Sequence, residues 1–255
     1  MIPRLDDLPR LLEELGYTVE RAWEIAAQVR HFEEEAPVRD ELVERYFDQR
    51  CVKRIVQAVA GELLKLGRPR LRLLDVGVGS GYFTTRILGL LGEAGVEAEA
   101  YGLDVTPGML RRLAEKGVRP IWGTAERIAE SIGLARARLG LRVPERFDAV
   151  ITTFTLHHIP EPSEALRGMA EVLEPQGVAV VVDISKYSDP VLQEELSDVH
   201  PGFEPGELEE AARPFFGEAR VGFLEGVRCR AGRVETGVII GVLASPRPRR
   251  RYPRE

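Results

Sequence analysis

The residues best suited to chemistry lie in one stretch, Leu71 to Leu88, which reads LRLLDVGVGSGYFTTRIL. Gly77, Gly79 and Gly81 alternate with small residues directly after an apolar run of Leu71, Leu73, Leu74, Val76 and Val78. A turn of that composition lets backbone approach a ligand where any side chain would collide. Asp75 stands two residues before the first glycine. Its carboxylate would repel a pyrophosphate and suit an ammonium group. A dinucleotide fingerprint, G-x-G-x-x-G, needs its third glycine where this chain has Tyr82. The expected ligand therefore carries an amine rather than phosphates. The competing readings are a nicotinamide dinucleotide site and a strand-to-helix turn that holds nothing.

A second acidic residue, Asp104, ends the apolar stretch Ala98–Val105, 23 residues past Gly81. A carboxylate at that place in an adenosine-binding sheet can accept both ribose hydroxyls; the alternative is a charge at a helix N-terminus. His157, His158, Tyr187 and His200 follow later strands. They are the candidate catalytic groups, because imidazole titrates near neutrality. Against a general base stands a plainer role, in which one histidine satisfies buried backbone and the other walls a pocket. His200-Pro-Gly also reads as a turn before a helix.

The D-x-G-x-G-x-G pattern from Asp75 to Gly81 resembles the first motif of the class I S-adenosylmethionine (SAM) methyltransferases. The resemblance implies that Asp75, often through water, and the backbone of Gly77, Gly79 and Gly81 hold the methionine end of SAM. It implies the adenosine end at Asp104, Val105, Met109, Thr124, Ala125 and Glu126. Where the family commonly has G-D-A-E, this chain has Gly123-Thr124-Ala125-Glu126, so a hydroxyl replaces the carboxylate that bonds the adenine amino group. Thr153 and Phe154 would face the reactive methyl. Thr153, Phe154, His157 and His158 resemble the L-H-H-[LI] segment of the ubiquinone/menaquinone-biosynthesis-like group. The segment DVHPGFEPGELEEAARPFF resembles one that precedes the last two strands in that group, making His200 and Phe203 candidate substrate contacts. The motifs of amino-methylating nucleic-acid enzymes, of cytosine C5 enzymes and of magnesium-dependent catechol-type enzymes are absent. No metal site is expected.

Elements to position these residues follow from periodicity. Strands are expected at 71–78, 98–105, 118–122, 147–154 and 178–184, the last apolar throughout and so covered on both faces. A hairpin over 220–230 and 234–243 would close the sheet. Helices alternate with the strands: one after Gly81, one opened by Pro107 and capped by Thr106, one over 126–142 carrying Arg136, Arg138 and Arg142, one capped by Ser163 and one starting near Glu204. The resulting fold class is α/β, a doubly wound, mostly parallel seven-stranded sheet of Rossmann-like methyltransferase type. Three segments are expected: an N-terminal helical extension at 1–67, a SAM-binding domain at 68–245 and a disordered basic tail at 246–255. Within the extension, Phe32–Phe47 reads as a mobile lid, its glutamates and Pro37 interrupting regular helix. The family's usual Tyr-Asp is replaced there by Arg39 and Asp40.

A net charge of −6 over 255 residues offers nothing global to nucleic acid or a membrane surface. Two cysteines are too few for a disulfide framework or a cysteine metal site, which fits a reducing cytoplasm. No apolar run has the length of a signal or membrane span. The absence of Asn and scarcity of Met and Cys lean towards a thermophile. The expected function is methyl transfer from SAM to a small-molecule acceptor, with S-adenosylhomocysteine as product. The rivals are an RNA methyltransferase that uses the arginine helix and tail, and a SAM-binding protein that does no chemistry.

Overall fold

Strand β1 (Arg70–Val76) alternates its apolar side chains between two covered faces, and the rest of the sheet is built outward from it. The structure is a computed structural model that describes residues 3–140, 142–189, 193, 198–231 and 234–247. Leu71 and Leu73 join a cluster with helices α4 (Gln49–Leu64) and α5 (Tyr82–Glu93), while Leu74 and Val76 join one with α7 (Ile128–Leu139), α8 (Pro162–Val172) and α9 (Pro205–Ala212). Period-two alternation with both faces covered is what an open α/β sheet requires.

The sheet has seven strands: β2 (Glu97–Asp104), β3 (Arg119–Trp122), β4 (Phe147–Thr153), β5 (Leu173–Ile184), β6 (Phe216–Ala231) and β7 (Val234–Pro246) complete it in the order β3-β2-β1-β4-β5-β7-β6. The first five are parallel; β7 pairs antiparallel with both β5 and β6. The chain reverses direction across the sheet at β1, between β2 and β4, and ligands of such sheets sit at that crevice, beyond the strands' carboxyl ends. No described helix is long and apolar enough to cross a membrane.

Several boundaries differ from the periodicity. β5 starts at Leu173 rather than Val178, because Leu173 pairs with Phe147 before a register shift passes the pairing to Ala149 and Val178. β6 starts at Phe216 rather than Arg220. The helix expected to be capped by Ser163 begins two residues earlier, at Pro162, with Glu161 at the N-cap. Thr106 precedes α6 (Pro107–Glu115) without a side-chain cap; its amide instead donates to Asp104. Glu33–Glu35 do not interrupt a helix but end α2 (Val19–Glu35), and Pro37 lies in one 3-10 turn, Ala36–Val38, before α3 (Arg39–Tyr46). Of the expected basic tail only Pro246 and Arg247 are among the described residues, and Gly232-Arg233 of the final hairpin also lie outside them.

The N-terminal helices lie over the sheet's ligand edge. Leu8, Leu11 and Leu12 of α1 (Leu8–Glu14), with Leu15, Ile25 and Val29, form a buried cluster against Val105, Trp122 and Leu134. Six apolar side chains at about 1.5–3 kcal/mol each put this burial on the order of 10 kcal/mol, part of it between the two helices themselves. That is enough to keep α1 and α2 docked. Phe32 to Tyr46 buries only Ala36 and Val43 among its described side chains and is otherwise held by polar contacts, which are weaker in water.

Candidate cofactor and acceptor site

Two adjoining cavities open at the carboxyl edge of the sheet. The larger, about 690 Å³, is bordered by Gly77, Gly79, Asp104, Val105, Met109, Thr124, Ala125, Glu126 and Phe154 from the expected set. The smaller, about 120 Å³, is bordered by Thr153, Phe154, His157 and His158, with Asp198, Tyr82, Phe83 and Phe47. Phe32, Arg39, Gly77, Gly79, Phe154 and His158 border both and form the wall between them.

The glycine loop owes its shape to left-handed backbone, with φ of +69°, +54° and +79° at Gly77, Gly79 and Gly81. Each glycine has a different reason to lack a side chain. A Cβ on Gly77 would fall 2.1 Å from Thr155, and one on Gly81 would fall 2.5 Å from Leu113. A Cβ on Gly79 would meet nothing within 4 Å, because that residue faces the open cavity. Gly81 borders neither cavity and serves as the left-handed entry to α5.

Asp75 is 1% exposed and borders neither cavity. One carboxylate oxygen accepts from the Thr84 hydroxyl at 2.5 Å; the other, Oδ1, is buried with no hydrogen-bond partner. Burial first, and the Asp104 carboxylate second, push its pKa up to about 7. Asp104 is the hinge of the larger cavity: Oδ2 accepts from the Gly79 amide and Oδ1 from the Thr106 amide, both at 2.8 Å. Burial raises its pKa, and those two amides oppose the rise.

The cavity's outer wall comes from residues that the motifs do not reveal. Tyr17 shares a 2.7 Å hydrogen bond with the Thr124 hydroxyl, and Arg21 pairs with Glu126 at 3.0 Å. Gln28 donates to the His158 carbonyl at 2.9 Å. The Glu33 carboxylate accepts from the Gly108 amide at 2.6 Å, and Asp40 accepts from the Ser80 hydroxyl at 2.5 Å and from Lys116 at 2.6 Å. Arg39 pairs with Glu35 at 2.6 Å. The segment expected as a lid thus lies closed on the glycine loop and on α6.

Phe154 has φ +55°, in the left-handed region that a non-glycine residue rarely enters. The strain is sustained by its amide bond to the Val182 carbonyl at 2.8 Å and by ring contacts with Phe47 and Phe83. It turns the chain out of β4 and sends the two histidines back towards the cavities. His157 Nδ1 lies 2.5 Å from Asp183 Oδ1. Burial works against its charge, but Asp183 and Asp198 prevail and hold its pKa above the usual imidazole value. The buried histidine therefore satisfies a carboxylate rather than backbone, while His158 borders both cavities.

Tyr187 and His200 border neither cavity. The Tyr187 hydroxyl donates to Asp198 Oδ2 at 2.6 Å. His200 Nε2 lies 3.0 Å from the Ile159 carbonyl and its amide donates to the His157 carbonyl, so it braces the loop that carries the histidines. Although no metal site is expected from the sequence, His157, His158 and Asp198 converge. In the arginine helix, Arg136 pairs with Glu145 and Arg138 with Glu14.

The fold and the glycine-loop pattern resemble those of class I methyltransferases. Residues 74–179 match the family described as "Methyltransferase domain". Among curated proteins, the ubiquinone/menaquinone biosynthesis C-methyltransferase UbiE of Ectopseudomonas mendocina is 30% identical over 129 residues, 49% of this chain and 46% of that protein. The UbiE of Yersinia pestis is 32% identical over 120 residues, 45% of this chain and 43% of that protein. The chain spans about half the length of these relatives that it matches. Among solved structures, the CurJ carbon methyltransferase superposes with a TM-score of 0.59 at 17% identity, covering 94% of this chain and 71% of that one. The complex of the Haloferax volcanii Trm112 methyltransferase activator with a methyltransferase gives 0.56 at 19% identity, covering 85% and 98%. At those identities the two structures speak for the fold alone.

Proposed function

We propose that the protein transfers a methyl group from SAM to a small, largely apolar acceptor in the cytoplasm. The observation that carries the reading is the pair Asp75 and Gly79. A buried carboxylate oxygen without a partner stands behind a glycine loop whose middle residue leaves its side-chain space to a ligand. A positively charged amine held at the loop would satisfy that carboxylate through water or across the loop backbone. The larger cavity falls in the usual range for small-ligand sites and is bordered by the residues that would hold adenosine: Asp104 and Val105 at the ribose, Thr124, Ala125 and Glu126 at the base, Met109 beneath it.

SAM, when bound, supplies an already activated sulfonium methyl group and departs as S-adenosylhomocysteine. This chain's contribution is then alignment and exclusion of water. Phe154 and Thr153 border the smaller cavity where an acceptor would lie, and Phe47, Tyr82 and Phe83 give it an aromatic lining that favours a flat apolar partner. The matched UbiE relatives are named C-methyltransferases, and a carbon acceptor is the reading proposed here. A carbon acceptor loses a proton in the course of methylation, and the His157–Asp183–Asp198 cluster supplies ionisable groups beside the cavity.

Calorimetry with SAM and with NADH tests the cofactor, and formation of S-adenosylhomocysteine with an apolar acceptor panel tests the reaction. Binding of NADH but not SAM would overturn the assignment. Tight SAM binding without turnover on any acceptor would leave a SAM-binding protein that does no chemistry.

A further inference from the structure

The smaller cavity contains a contact that neither hydrogen bonding nor packing accounts for. Asp198 Oδ1 is buried and has no hydrogen-bond partner, yet His157 Nε2 stands 3.5 Å away and His158 Nδ1 stands 3.6 Å away. Good hydrogen bonds between nitrogen and oxygen are shorter, about 2.7–3.2 Å. Those separations lie close to the roughly 3.4 Å edge of a tetrahedron built from metal–ligand bonds of about 2.1 Å. One atom from each of the three side chains lies within 4.8 Å of the other two, so all three reach the same point.

The opposite ends of two of these side chains, His157 and Asp198, are fixed. His157 Nδ1 faces Asp183 Oδ1 at 2.5 Å, and Asp183 is held in turn by the Leu156 and Ile184 amides. Asp198 Oδ2 accepts from Tyr187. In a metal-bound state the imidazole would be neutral, with Nδ1–H given to Asp183 and the lone pair of Nε2 turned towards Asp198. Two acceptors then face each other, an arrangement that needs a cation between them. A proton on Nε2 would bridge 3.5 Å poorly, whereas a metal ion would bridge it with normal bonds. A carboxylate behind the distal nitrogen of a histidine is also how metal-binding imidazoles are oriented. Arg39, a cation that borders the same cavity, pairs with Glu35.

We propose that His157 Nε2, His158 Nδ1 and Asp198 Oδ1 bind a divalent transition-metal ion of the zinc type, with the remaining coordination position open to the smaller cavity. Two imidazoles and one carboxylate suit zinc, cobalt(II) and iron(II) better than magnesium or calcium. The open position suits an acceptor oxygen, such as that of an enol or phenol, which the ion would polarise beside the carbon to be methylated. That use of the ion rests on the methyl-transfer reading; the binding itself does not.

The full chain, stripped with a chelator and then desalted after incubation with zinc or cobalt(II), provides the test. One equivalent of zinc by mass spectrometry and intense visible bands of tetrahedral cobalt(II) are expected. Asp198→Asn and His157→Gln should lose the equivalent and the bands. Tyr187→Phe, which removes only the support of a ligand, should weaken the metal by about ten- to a hundredfold. A parent chain that retains no stoichiometric metal, or variants that bind like the parent, would overturn the proposal. If Asp198→Asn melts far below the parent, His158→Gln at the cavity wall carries the same test. Calorimetry with SAM on the same samples separates the two readings: metal without SAM sinks the methyl-transfer assignment, and SAM without metal sinks only the metal site.

Discussion

The two cavities share a wall but are built from different materials. The inner wall of the larger is made by backbone: glycines at the end of β1, amides held by Asp104, and the ends of β2 and β3. The smaller is made by side chains from elements far apart in the chain, with Phe47 of the N-terminal region, Phe154 after β4 and Asp198 before α9 all bordering one space. A backbone-built site tolerates variation in its surroundings but not in its glycines. A side-chain-built site can change its ligand by changing any of several residues. This division assigns the common reagent to the first and specificity to the second.

The sharpest way to break that comparison is within the glycine loop. Gly79→Leu should abolish measurable SAM binding, a loss of about a thousandfold or more, because its side chain would occupy the ligand's space and the left-handed backbone disfavours it. The variant should still fold, since no protein atom stands in the way. Gly77→Leu should instead fail to fold, because Thr155 already fills its place. Calorimetry with thermal melting distinguishes the two, and a Gly79→Leu chain that binds SAM normally would remove the loop from the site.

Asp104→Ala comes next, with a loss of roughly 2–3 kcal/mol of SAM affinity, about 30- to 150-fold, the scale of losing charge-assisted hydrogen bonds. Both Asp104 oxygens already hold backbone amides, so the variant should also loosen the Gly79 amide. Faster hydrogen exchange at Gly79 in the free protein would register that second role. Parent-like affinity would mean that the ribose is held elsewhere.

This contrast also explains what could be read from the sequence. The succession of strands and helices, the glycine loop and Asp104 are local patterns whose spacing is imposed by the sheet itself. Tyr17 and Thr124 are 107 positions apart, and Arg21 and Glu126 are 105 apart. Nothing in either segment alone signals the other. Asp198 belongs to a segment whose resemblance pointed to His200 and Phe203, yet only packing of the loop against β5 brings its carboxylate to His157. The glutamates at 33–35 look like a break in a helix because charge is counted without its partners. In the folded chain Glu33 meets Gly108 and Arg111, and Glu35 meets Arg39.

The N-terminal cover sharpens the comparison at smaller scale. Asp40 ties α3 to the glycine loop through Ser80 and to α6 through Lys116. We propose that the Phe32–Phe47 segment opens to admit ligands while α1 and the part of α2 before Phe32 stay docked. Asp40→Ala should then weaken SAM by about tenfold, near 1.4 kcal/mol, and speed proteolysis between residues 32 and 47 in the free protein. Adding S-adenosylhomocysteine should slow that cleavage. Equal protection with and without ligand would make the segment a fixed wall.

The smallest effect concerns Asp75, an expected cofactor-side residue that borders neither cavity and would act through its charge. Its carboxyl has a pKa of about 7 in the folded chain against 3.8 for the ordinary group, chiefly because it is buried. The protonated form is thus favoured by the fold. Its contribution to stability is fully present below about pH 4 and is lost as pH rises through about 7, so the free protein should become less stable across that window. A bound amine reverses the preference, because its positive charge favours the carboxylate. SAM should therefore bind more tightly as pH rises, by about fivefold between pH 6 and pH 7, with little further gain above pH 8. At pH 6 binding should release close to one proton, seen as a dependence of the calorimetric enthalpy on the buffer's ionisation heat. Asp75→Asn removes both the proton and the charge. It should abolish the pH dependence between 6 and 7 while leaving the loop's shape, and hence residual SAM binding, in place. If the parent's affinity is flat over that range, or the variant keeps the slope, Asp75 does not carry the charge that the amine meets.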